Sequence, residues 1–99
     1  MPVYQIEVTE EAAGDLVYYT AFERQRIVSQ MRVQLSFEPL VSTKNRKPLR
    51  DNPLAPRELR IGKFRVFYKV DEDIQMVVIV SVGHKEHNIL MVRGREVKL

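Results

Sequence analysis

Three groups of basic and imidazole side chains in this sequence are spaced in a way that could serve phosphate chemistry. Arg60 and Arg65 flank Gly62-Lys63, a dipeptide suited to a two-residue type II′ hairpin because glycine accepts the positive φ required at the first central position. In that register residue 61 faces 64, 60 faces 65, 59 faces 66 and 58 faces 67, which sets two guanidinium groups directly across from one another. Opposed like charges on a sheet are destabilising by roughly a few tenths of a kcal/mol. The pair therefore calls for a carboxylate between its members, for which Glu58 is diagonally placed, or for an external anion. Guanidinium groups offer bidentate donors to phosphate oxygens. In the plainer reading both arginines are solvated outer-face residues whose stems cover Phe67.

The second group is the polar stretch over residues 81–88, which holds both histidines of the chain, His84 and His87, with Lys85 between them. An imidazole titrates near neutrality and can act as general acid or base, and a lysine can offset charge developing on a phosphate. The spacing is not that of a metal motif, and no cofactor or metal is expected. The third group, Lys44, Arg46, Lys47 and Arg50, lies in a proline-rich basic loop over residues 38–56. Lys69 falls on the same strand face as Arg65.

The elements that must position these groups follow from hydrophobic periodicity. Residues 3–8 alternate, with Tyr4, Ile6 and Val8 on one face of a strand. Thr9 then caps a helix running to about Tyr19, with Glu10 and Glu11 in its first turn. A second helix begins near Ala21, with Phe22, Ile27, Val28, Met31 and Leu35 at helical spacing, and is stopped by Pro39. This αα-hairpin needs a flat apolar surface to cover. Residues 57–61, 64–70 and 75–82 supply it as an antiparallel meander in which Leu59, Ile61, Phe64, Val66, Tyr68 and Val70 share the core face. Met31 and Met76 are expected in that core. The basic loop holds one short extended piece at most, and the tail from residue 84 onward has a short helix or strand over 89–92 and a turn at Gly94.

With 99 residues, 44% of them hydrophobic, the chain encloses one core and makes one domain over residues 1–99. Domains of this size are marginally stable and gain from a partner. The sequence has no cysteine, which excludes disulfides, thiolate metal sites and cysteine nucleophiles and fits a reducing cytoplasm. The longest apolar run, residues 76–80, is too short to span a bilayer, and the amino terminus has no signal-peptide pattern. A cytoplasmic protein without membrane contact is expected. The net charge of +3 suggests an anionic partner without specifying one.

Lys47-Pro48-Leu49, the run from Arg57 through Arg60, Gly62 and Arg65 to Tyr68, and Val82-Gly83-His84-Lys85, taken in this order after a strand and a helical hairpin, resemble the RelE/ParE superfamily of toxins from bacterial type II toxin–antitoxin systems. The resemblance implies an α+β fold, with the N-terminal strand and helical hairpin packed on one face of a twisted antiparallel sheet whose other face is concave and basic. It implies a cognate antitoxin as partner. RelE-like members cleave messenger RNA on the ribosome without a metal, by attack of a ribose 2′-hydroxyl on the adjacent phosphate. Carried over by position, Arg65 matches the family's central-strand arginine and Lys85 an arginine after the last long strand. Arg60 and Lys47 are supporting cations, with Arg50 and Lys69 as further phosphate contacts. Two departures stand out. No tyrosine occurs at residues 88–91, and an acid, Glu58, interrupts a strand that is usually lysine-rich. Proton transfer would then fall to His84 or His87. ParE-like members act differently, inhibiting DNA gyrase by protein contact, and the missing tyrosine fits that alternative.

Overall fold

The computed structural model describes residues 3–49 and 55–98. Strand β1 (Gln5–Val8) leads into helices α1 (Glu10–Val17) and α2 (Ala21–Leu35). These are followed by strands β2 (Arg46–Pro48), β3 (Arg57–Ile61), β4 (Phe64–Asp71), β5 (Met76–Glu86), β6 (Ile89–Val92) and β7 (Arg95–Val97). Both helices are capped by threonine. The Thr9 side chain accepts from the Ala12 amide, and Thr20 forms a capping box with Glu23, which satisfies orphan donors at each helix start. Helix α1 ends two residues earlier than the sequence suggests, because Thr20 must leave helical geometry to cap α2.

Along α2 the buried positions are Ile27, Met31 and Leu35. Phe22, expected on this stripe, is 79% exposed. Five residues before Ile27, it is rotated about 140° from the buried line at 100° per residue.

The sheet runs β2-β3-β4-β5-β6-β7 with every neighbouring pair antiparallel. Its seventh strand, β1, pairs in parallel with β5, Gln5 to Met76 through Val8 to Ile79. This departs from a wholly antiparallel expectation. The helical hairpin between β1 and the rest of the sheet supplies the long crossover that a parallel neighbour requires. The Gly62-Lys63 turn has positive φ at Gly62 alone, and the pairing across it is the expected one, from Ile61–Phe64 to Glu58–Phe67. Leu59, Ile61, Phe64, Val66 and Tyr68 are buried beneath the helices with Val77, Ile79 and Val82, and Val70 packs at their margin. Met31 belongs to this core, whereas Met76 is half-buried.

Two features alter the opposite face. The β4–β5 register slips between Phe67 and Tyr68, so that Val80 is an extra residue facing no partner, a bulge in β5. In addition, β6 and β7 form a hairpin whose Leu90, Val92 and Val97 pack with Phe67, Val80, Leu49 and Ala55 into a second small core. Phe67 is consequently fully buried. The face expected to be open is covered along part of its length, because the tail supplies enough apolar residues to cover it.

Candidate functional site

Arg60 and Arg65 are Cα partners across the β3–β4 hairpin, and Glu58 stands between their head groups. Arg60 Nε lies 3.2 Å from Glu58 Oε2, and Arg65 Nε lies 3.7 Å from Oε1. Of the two readings of the opposed arginines, the structure shows the internal carboxylate. Glu58 is buried rather than solvated on an outer face. Two guanidinium groups and one carboxylate leave a net charge of one on the cluster. The Arg65 side chain is 14% exposed and that of Arg60 is 43% exposed.

Arg65 Nη1 donates to the carbonyl oxygens of Gly62 at 2.7 Å and Phe64 at 2.9 Å. Its Nε is buried without a hydrogen-bond partner among the described residues, since 3.7 Å to Glu58 is an ion pair beyond hydrogen-bond length. Burial pulls the Arg65 pKa below its ordinary value and Arg60 adds to that shift, while Glu58 opposes it.

On the same face, Gly83 is the β5 partner of Arg65, and Lys85, two residues further along, shares that orientation. Lys85 is half-buried, and its backbone amide donates to the Lys63 carbonyl at 2.8 Å. A side chain at Gly83 would press on the Met91 carbonyl and the Val92 side chain, so glycine is what lets β6 pass close beside Arg65. Lys47, exposed, pairs across β2–β3 with Glu58. Arg60, Arg65, Lys85 and Lys47 therefore share one region of one sheet face.

The histidines stand elsewhere. His84 pairs with Phe64, on the helix-covered face, and is buried. Its Nδ1 is 2.7 Å from the Tyr19 hydroxyl and its Nε2 is 3.3 Å from Glu86 Oε1, with the Tyr18 ring stacked against it. Burial, then the nearby Asp15 carboxylate, raises the Tyr19 pKa. The hydroxyl thus keeps its proton, and the Tyr19–His84 contact ties the turn between α1 and α2 to the end of β5 on the helix side of the sheet. His87 is exposed at the tip of the β5–β6 turn, where it and Asn88 both take positive φ, the type I′ geometry.

Lys69 shares the face of Arg65 but lies four residues along β4, about 13 Å away. There it lines an open cavity of about 770 Å³ with Glu7, Asp71, Glu72 and Asp73. Arg50 lies outside the described residues. Among the described residues no three His, Asp or Glu side chains converge as metal ligands.

Sequence reasoning missed a polar clasp between α1 and the tail. Buried Asp15 accepts from Ser81 Oγ at 2.9 Å, from the Val82 amide at 3.0 Å and from Arg93 Nε at 2.7 Å. Arg93 also donates to the Glu11 carbonyl at 2.8 Å. An acid at core spacing between Ala12 and Tyr19 was the available signal.

The model of a sequence family described as the ParE toxin of the parDE type II toxin–antitoxin system matches residues 6–89. The chain belongs to this family. Among solved structures, the toxin is similar to a chain of the RelBE2 toxin–antitoxin complex from Mycobacterium tuberculosis. The identity is 30% and the TM-score 0.75, over 86% of this chain and 94% of that one. Two further structures share its fold. A chain of the archaeal RelE–RelB complex from Pyrococcus horikoshii is 17% identical with a TM-score of 0.67, over 86% of this chain and 98% of that one. The isolated RelE toxin of E. coli is 21% identical with a TM-score of 0.66, over 85% of this chain and 86% of that one. No curated protein matches the chain in sequence. The toxin is thus a RelE/ParE superfamily member of the type II class, with two helices on a seven-stranded sheet. No helix among its described residues is long and apolar enough to cross a membrane.

Proposed function

We propose that the toxin cleaves messenger RNA held on the ribosome, in the cytoplasm, and that a cognate antitoxin silences it. The observation that carries this reading is the grouping of Arg60, Arg65 and Lys85 on one sheet face beside Gly83. In the reaction, the ribose 2′-oxygen forms a bond to the adjacent phosphorus as the bond from phosphorus to the 5′-oxygen breaks. The 2′-proton is lost to a base, and an acid protonates the leaving oxygen. Arg65 and Arg60 hold the phosphate oxygens, and Lys85 stabilises the extra charge of the transition state. Exposed His87 is the better placed of the two imidazoles to supply the proton, since His84 lies on the opposite face. Lys47 steadies the flanking strand of RNA, whereas Lys69 sits too far along β4 to share the same phosphate.

Similar toxins have been solved in complex with their RelB proteins, which supports an antitoxin for this chain. A segment with acidic and apolar residues suits the cationic face. The deciding experiment adds the purified toxin to a reconstituted translation reaction. Transcripts cut in a ribosome-dependent way, and spared by Arg65→Ala, are expected; intact transcripts with the wild type refute the reading. The neutralising carboxylate of Glu58 favours one alternative, a toxin that inhibits DNA gyrase by protein contact. Gyrase-linked DNA breaks with translation unaffected would select it.

A further inference from the structure

Glu58 is the only acid between residues 57 and 70, and it is placed where an anion bound by the arginine pair would go. Its side chain is 4% exposed, with one oxygen toward Arg60 and the other toward Arg65. We propose that Glu58 sets the charge class of anion this face accepts, favouring a singly charged phosphodiester inside a nucleic acid chain over a doubly charged phosphate. The inference rests on the reading of this face as a phosphate site.

Two arginines alone would match a dianion; with Glu58 between them, the cluster matches one negative charge. A phosphate that reaches Arg65 also comes near Glu58. Attraction to the arginines and repulsion from the carboxylate both double from diester to dianion, so the cluster's net charge of one gives the dianion only twice the attraction. The cost of stripping water from the ligand rises with the square of its charge and outweighs that gain. Screening by salt and water is weak for buried partners, and both the Arg65 and Glu58 side chains are largely buried. Arg65 cannot swing away with a ligand to escape the carboxylate, because the carbonyls of Gly62 and Phe64 hold its Nη1. The acid that departs from the usual basic strand thus acts as a selectivity element, discriminating against terminal phosphates and free phosphate in favour of internal linkages.

The test is an NMR titration of the purified toxin, well above neutral pH, with inorganic phosphate as the dianion and a diribonucleoside monophosphate as the diester. Wild type is expected to bind the diester at least as tightly as phosphate. Glu58→Gln is expected to tighten the diester about tenfold and phosphate about a hundredfold, the doubled logarithm that the charge product requires. A wild type that prefers phosphate, or a Glu58→Gln variant that gains equally for both ligands or loses affinity, overturns the proposal. If Glu58→Gln does not fold, the wild-type preference decides alone. Arg65→Ala separates the two claims. Binding of both ligands that survives this change refutes the phosphate reading of the face itself, whereas binding lost in Arg65→Ala together with a wild-type preference for phosphate refutes only the role given to Glu58.

Discussion

Replacing Asp15 with alanine should destabilise the toxin more than any other single change of a charged residue described above. The carboxylate is 4% exposed and accepts three hydrogen bonds, from Ser81 Oγ, the Val82 amide and Arg93 Nε. Ser81 is buried and the Val82 amide lies within β5, so removing Asp15 leaves two donors without their acceptor, each at about 1–3 kcal/mol. The Arg93 side chain is 49% exposed, and its loss of a partner adds roughly 1 kcal/mol or less. The expected penalty is about 3–5 kcal/mol, a large fraction of the roughly 5–15 kcal/mol that holds a domain together. At about 4–8 °C per kcal/mol for a domain of this size, Tm should fall by at least about 12 °C.

Urea and thermal unfolding of the wild type, Asp15→Ala, Arg93→Ala and the double variant would measure this. Arg93→Ala alone should cost only about 1 kcal/mol and should add little once Asp15 is gone. An Asp15→Ala variant within 1 kcal/mol of wild type, as measured in urea, would refute the reasoning.

Gly14→Ala should give no stability, although alanine in a helix ordinarily gains about 1 kcal/mol over glycine. Its Cβ would run into the guanidinium of Arg93, which Asp15 and the Glu11 carbonyl hold in place. In an Arg93→Ala background the same change should become stabilising, and a thermal shift assay on the two pairs would show the reversal. Thr20→Ala should cost about 1 kcal/mol by removing the cap on α2. Hydrogen bonds from the Thr20 backbone and hydroxyl, in that order, hold Glu23 below its ordinary pKa, with Lys63 contributing. A depressed carboxyl stabilises the fold above its unfolded pKa and loses that contribution as pH falls through the folded value. The penalty of Thr20→Ala should therefore shrink at acid pH, and pH-dependent unfolding would detect a penalty that stays constant instead.

Much of the fold was legible because its signals are local. The Gly62-Lys63 turn fixes its own register through one positive φ, and that register sorts Leu59 through Val70 between the faces. Phe22 was misplaced although the spacing spoke against it, since five residues before Ile27 it falls about 140° away wherever the helix begins. The site was harder to read, and Val80 is the reason. Counting back from the β4–β5 turn without a bulge would pair Arg65 with Val82 and put His84 on the arginine face. The extra residue shifts the register by one, so His84 goes to the helix side and Lys85 comes to the arginines. Nothing in the apolar run around Val80 marks such an insertion. The burial of Phe67 depends on the carboxy-terminal hairpin folding back, a long-range event that alternation over four residues cannot signal.

The single edge of β5 that faces away from β4 is shared end to end. β1 pairs with its first part as far as Ile79, and β6 begins at His84. Among the described residues no strand covers the backbone between them, and side chains take up part of the gap. The Thr9 amide and hydroxyl reach the Ile79 carbonyl, and Asp15 takes the Val82 amide. A joint between two strands is ordinarily where a foreign chain can wedge in and add itself to a sheet. Among the described residues, side chains from α1 and its cap stand in for the missing strand, so a visiting β-strand would meet unpaired strand margins at β1, β2 and β7 rather than at this joint.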